Sequence, residues 1–165
     1  MTESATAFEH LVRRHRGEIG AYLRRMLGNE TEAEDVAQDT WLRAHRAFGR
    51  LPADANARAW LYRIATNRAL TALRQRRSAK ARVAVVDLET LPARGVDLDG
   101  RLELRRVARA VAALPPKQRA ALVARRFSGL AYDDIAITLG CSPEAARANV
   151  YQAIRRLRGI LERTP

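Results

Sequence analysis

Cysteine is nearly absent from this chain of 165 residues; Cys141 is the only one. That excludes an intramolecular disulfide framework and a multi-cysteine zinc site. Aromatic residues are scarce, at 5 %, so any core must rest on Leu, Val, Ile and Ala. No apolar run approaches the ~18 residues needed to cross a membrane, and no stable membrane insertion is expected. The first residues, MTESATAFEHLVRR, lack a basic segment followed by a long apolar one and do not read as a signal peptide. The simplest address is the cytosol. No Gly-rich phosphate loop, no Ser/His/Asp arrangement and no metal-ligand spacing occurs. The expectation is therefore a protein that is not an enzyme and holds no cofactor or metal.

Lysine is the other scarcity. Of 30 basic residues only Lys80 and Lys117 are lysine, and the formal net charge is +12. Such an excess points to a polyanionic partner, nucleic acid first and anionic lipid second. Arginine suits bidentate contacts to phosphate and guanine. A GC-rich coding sequence would favour the same residue, so the bias has two readings.

What is present reads as helix throughout. Phe8, Leu11, Val12, Ile19, Tyr22, Leu23 and Met26 form one apolar stripe, which Gly28 ends. Thr31 and Glu34 fit a capping box for a second helix, whose apolar face is Val36, Ala37, Thr40, Trp41, Ala44 and Phe48. Residues 49–56, GRLPADAN, break it. A third helix is predicted from about Ala57 to Arg77. Residues 83–100 carry Pro92, Gly95, Gly100 and several acids, without helical period. They read as a flexible acidic linker, and the Val83–Val86 stretch has no partner strand in sight. A fourth helix is expected over about Leu102–Leu114, and Pro115–Pro116 open a fifth. Ile135, Ala136 and Leu139, then Gly140, then a helix starting at Ser142 give a short helix, a tight turn and a longer basic helix. This is a helix-turn-helix layout. The expected architecture is all-α: a helical bundle over 1–82, the linker over 83–100, and a helix-turn-helix unit over 101–165.

Three features carry chemistry. In the last helix Arg147 and Asn149 are the best base readers, since Arg pairs with guanine and Asn with adenine. Ser142 and its helix N-terminus suit phosphate. Arg155, Arg156 and Arg158 suit backbone phosphate or solvent. The second feature is the stretch from Ala55 to Val86, which holds Arg58, Arg63, Arg68, Arg74, Arg76, Arg77, Lys80 and Arg82 and no acid. An ordinary surface helix mixes signs. Trp60, Tyr62 and Asn67 are interleaved there, which suits unstacked bases, although Trp60 at helical spacing also fits a core. The third is the acidic run NETEAEDVAQD, a patch for a basic partner. His10, His15 and His45 read as isolated surface or boundary residues, and Cys141 as a small apolar filler in the turn.

Two blocks give the chain a family resemblance. AEDVAQDTWLRAHRAF followed by ARAWLYRIATNRALTALRQRR is similar to region 2 of the sigma-70 RNA polymerase sigma factors, in their extracytoplasmic-function group. LPPKQRAALVARRFSGLAYDDIAITLGCSPEAARANVYQAIRRLR is similar to region 4. The resemblance covers about residues 8–80 and 101–161. It implies a bacterial, cytoplasmic promoter-specificity subunit that binds core RNA polymerase through its β and β′ subunits, recognises promoter DNA and assists melting. Asp35, Gln38 and Asp39 would dock on β′. Arg58, Trp60, Arg63, Asn67 and Arg68 would serve the −10 element and melting, with Asn67 and the 49–56 loop capturing a flipped base. Ser142, Glu144, Arg147, Ala148, Asn149, Gln152 and Arg155 would serve the −35 element. The linker would thread near the active site and RNA exit path. An anti-sigma factor is the implied regulator. The alternative is a free-standing helix-turn-helix regulator, which has no need of the acid-free stretch.

The chain departs from the family where Gly-Thr is usual, carrying Glu144–Ala145, and where a hydroxyl residue usually caps the short helix, carrying Ala131. Both bear on −35 preference. No C-terminal extension beyond region 4 is expected.

Overall fold

A computed structural model describes residues 2–80 and 98–163. Seven helices and no strand occur among them: α1 Thr2–Leu27, α2 Glu30–Phe48, α3 Ala57–Lys80, α4 Leu98–Ala112, α5 Pro116–Arg126, α6 Tyr132–Leu139 and α7 Pro143–Arg163. The linker expected over 83–100 lies outside the described residues as far as residue 97, as does the Val83–Val86 segment. Its last three residues belong to α4, which therefore starts earlier than its apolar spacing suggested.

Helix ends follow local chemistry. Gly28 takes φ +66 beyond α1 and Gly140 takes φ +62 beyond α6, left-handed conformations that cost glycine least. The cap of α2 is not Thr31. Asn29 fills that place, its side chain accepting from the Glu32 amide at 2.9 Å, so the helix starts at Glu30. Asn is as good a cap as Ser or Thr, and it comes first in the chain. Asn56 caps α3 by accepting from Ala59 N at 3.0 Å. Ser142 caps α7 by accepting from Ala145 N at 3.1 Å. Ala131 stands at the N-cap of α6 with no side-chain bond.

Helices α1, α2 and α3 pack on one another, and α5, α6 and α7 on one another. The two groups also meet, through α3 against α6 and α1 against α5. One continuous core runs through both, including Tyr22, Leu23, Met26, Leu61 and Tyr62 on one side and Val123, Leu130, Ile135 and Val150 on the other. Burial of each such large side chain contributes about 1.5–3 kcal/mol. The chain thus holds two helical units with a shared apolar seam. The seam also carries polar bonds. Asn56 Nδ2 donates to Asp134 Oδ1 at 2.8 Å, and Arg58 Nη2 donates to the Ser128 carbonyl at 2.7 Å.

Candidate nucleic-acid interface

Helix α3 contains no acid, so its counter-charges come from neighbouring helices. Glu18 of α1 accepts from Arg58, with Nη2 at 2.8 Å from Oε2. Asp39 of α2 pairs with Arg68 at 2.5 Å and with Arg43 at 3.1 Å. Glu32 of α2 pairs with Arg76. Three arginines of the stretch thereby brace the bundle. Arg63, Arg74 and Arg77 are exposed and make no ion pair among the described residues. Asn67 is exposed on the same helix, while Trp60 is half-buried and packs against the core. Arg63 lies at the seam, its guanidinium beside the Gly140 turn.

The Glu18 cluster was not visible in the sequence. Tyr62, read as interleaved with the arginines for base stacking, is fully buried and donates to Glu18 Oε2 at 2.9 Å. His15 is buried rather than at the surface, with Nδ1 2.6 Å from Glu18 Oε1. Burial pushes the Glu18 carboxyl up, but the hydrogen bonds from Arg58, His15 and Tyr62 outweigh it. They hold the carboxyl at about 2, against an ordinary 4.5. Burial likewise pushes the Tyr62 phenol up to about 12.

On α7 the buried positions are Ala146, Val150 and Ala153. Ser142, Glu144, Arg147, Ala148, Gln152 and Arg155 are exposed. Asn149 is half-buried, and its amide donates to the Ala145 carbonyl at 3.0 Å. Tyr151 is 64 % exposed on the same side as Arg147 and Ala148, a residue not singled out in the sequence. Its signal was its place one turn beyond Arg147. Arg156 and Arg163 line a groove with Gln152 and Arg155 and continue the basic surface along the helix.

On α2, Glu34, Asp35 and Gln38 are exposed, and Leu42 follows on that side, 57 % exposed. Asp39 is half-buried in its ion pairs. Cys141 is half-buried in the turn, as a filler would be. No group of three potential metal ligands occurs among the described residues, and no helix among them is long and apolar enough to cross a membrane.

Two separate basic faces with an acidic strip beside them suit DNA and a large protein partner. Residues 11–79 match the family described as Sigma-70 region 2, and residues 104–157 that described as Sigma-70, region 4. The chain is 35 % identical to the RNA polymerase sigma factor CarQ of Myxococcus xanthus, over 94 % of this chain and 89 % of that protein. It is 32 % identical to the ECF RNA polymerase sigma factor SigM of Mycobacterium tuberculosis, over 94 % and 77 %. Its fold matches the sigma factor RpoE in a co-crystal structure with the anti-sigma factor NepR from Bartonella quintana. The TM-score is 0.78 at 25 % identity, covering 96 % of this chain and 99 % of that one.

Proposed function

The chain belongs to the sigma-70 family of RNA polymerase sigma factors, in its extracytoplasmic-function group, and from that premise we propose how its surfaces divide the work of a promoter-specificity subunit. The observation that carries this reading is that the two matched blocks form two helical groups joined at a shared seam, and each group presents an exposed basic face. Residues 1–82 engage core polymerase and the −10 element, and residues 101–165 read the −35 element. The segment before α4, residues 83–97, tethers them.

The exposed strip of Asp35 and Gln38 on α2 docks on the β′ subunit, with Leu42 supplying apolar area. Asp39 shapes that surface while holding Arg68. Arg63 and Asn67 meet the opened strand directly, and Arg58, Trp60 and Arg68 hold α3 in place for it. The capped N-terminus of α7 meets phosphate at Ser142, and Arg147, Ala148 and Gln152 face base edges. Glu144 accepts from cytosine N4 or repels phosphate. Arg155 serves the backbone. Asn149 must give up its bond to Ala145 before it reads adenine. The protein performs no chemical step of its own and works in the bacterial cytoplasm. Its regulator is an anti-sigma factor, by analogy with the Bartonella complex. The reading as a free-standing regulator, with the first unit serving ligand binding or dimerisation, is not favoured, because residues 11–79 match Sigma-70 region 2.

Footprinting of the chain with bacterial core polymerase on a bound promoter tests the division. Two separated protected elements are expected, with Arg147→Ala weakening the upstream one and Asn67→Ala the opened downstream one. Identical effects of both variants on both elements contradict it.

A further inference from the structure

Tyr132 opens α6, and two guanidiniums lie over its ring. Arg125 of α5 is 4.4 Å from the ring centroid and Arg147 of α7 is 4.8 Å from it. The ring has a firm seat, being half-buried and packed against the core. Arg125 is fixed as well, since its Nη1 donates to the Leu130 carbonyl at 3.0 Å, and Leu130 is fully buried. Arg147, in contrast, is exposed and makes no ion pair among the described residues. The Tyr132 ring is the neighbour that its charged end lies over.

A guanidinium offers two kinds of contact. Its flat face stacks on aromatic rings, and its edge presents a fork of N–H donors. Stacking occupies the face and leaves the edge free, and that edge is what matches O6 and N7 of guanine. An arginine swinging freely in solvent must lose rotamer freedom when it binds a base. One already resting on a fixed ring loses less.

We propose that Tyr132 is a positioning residue for −35 recognition, holding the Arg147 guanidinium so that its donor edge is ordered before DNA arrives. Arg125 braces the ring from the other helix. Tyr132 itself makes no base contact in this arrangement. The inference rests on Arg147 being a base reader.

The test uses holoenzyme assembled from the full chain and bacterial core polymerase, bound to a promoter-length duplex pool with a randomised upstream segment. Sequencing the bound fraction gives the preference at each position. Arg147→Ala should flatten one base-pair position, by about five- to a hundredfold. Tyr132→Leu should lower discrimination at that same position by about two- to fivefold, with the other positions and the salt dependence unchanged. Tyr132→Phe, which keeps the ring face, should behave as wild type. If Arg147→Ala flattens no position, both the reading of Arg147 and this proposal fall. If it flattens one position and Tyr132→Leu leaves that position intact, or weakens all positions alike, the proposal alone falls. A second readout does not need the leucine variant to fold. The Arg147 Nε–H group in the free wild-type and Tyr132→Phe chains should show an order parameter above about 0.6. The mobility of an unrestrained side chain there would overturn the proposal.

Discussion

Glu18 of α1 and Arg58 of α3 are joined by a fork of hydrogen bonds, with Nε 3.1 Å from Oε1 and Nη2 2.8 Å from Oε2. The same guanidinium reaches Ser128 across the seam. One carboxylate thus anchors the acid-free helix to its own bundle and, through Arg58, to the second unit. Replacing it by Glu18→Gln keeps the shape and removes the charge. A carboxyl held at about 2 instead of 4.5 contributes stability that is present above pH 4.5 and is lost as pH falls toward 2. The variant should lose about 1–2 kcal/mol at neutral pH, after allowance for solvent screening. It should also lose much of the acid dependence between those two pH values. Urea unfolding across that range reads both. An unchanged acid profile contradicts the role given to Glu18.

Arg119 is 7 % exposed and meets no carboxylate among the described residues. It donates to the Met26 carbonyl at the end of α1 at 2.8 Å, and to the carbonyls of Ala112 and Leu114 where α4 ends. Burial first, then Arg76 and Arg77, lower its guanidinium to about 10. Helix C-termini attract cations, so one side chain ties two helix ends together. Arg119→Ala should destabilise the chain by about 2–4 kcal/mol, because it leaves buried carbonyls unpaired and a cavity behind. A thermal melt within 1 °C of wild type would contradict this.

Ala131 gives the opposite prediction. It occupies the N-cap of α6 in extended backbone, φ −68 and ψ 158, with no side-chain acceptor for the free amides. Ala131→Ser supplies one. A gain of about 1 kcal/mol is expected, or a rise in Tm of about 2–4 °C. A lower Tm would show that the hydroxyl cannot reach the first turn.

The features legible in sequence were the local ones. Gly28, Gly140, Pro116 and Ser142 mark helix ends because a backbone angle or a cap is decided within four residues. The helix-turn-helix was legible for the same reason. Glu18 was not, because its partners Arg58 and Tyr62 are distant in the chain and its own neighbours look like an ordinary helix face. Arg119 carries no signal in the sequence, because its burial comes from the convergence of two helix ends that are distant in the chain. The acid-free character of α3 pointed to nucleic acid but gave no sign of which arginines the bundle itself uses. Packing shows that Arg58, Arg68 and Arg76 are partnered by α1 and α2. Arg63 and Asn67 remain the stronger candidates on that face.

Asn67 separates binding from melting. Its side chain is exposed on α3, and alanine is a better helix former than asparagine, so Asn67→Ala should not lower stability. If Asn67 holds a flipped base, the variant should reduce permanganate reactivity of the opened promoter by about tenfold. Affinity for the closed promoter should change less than about twofold. Equal losses in both would remove Asn67 from the melting step.

Transcription with purified bacterial core polymerase tests the central claim most directly. Templates should be drawn from the chain's own genome. Core polymerase alone should give no specific starts, and added chain should give discrete transcripts whose start sites share two upstream sequence elements. Transcripts that are the same with and without the chain, or a chain that does not bind core polymerase, would contradict the account.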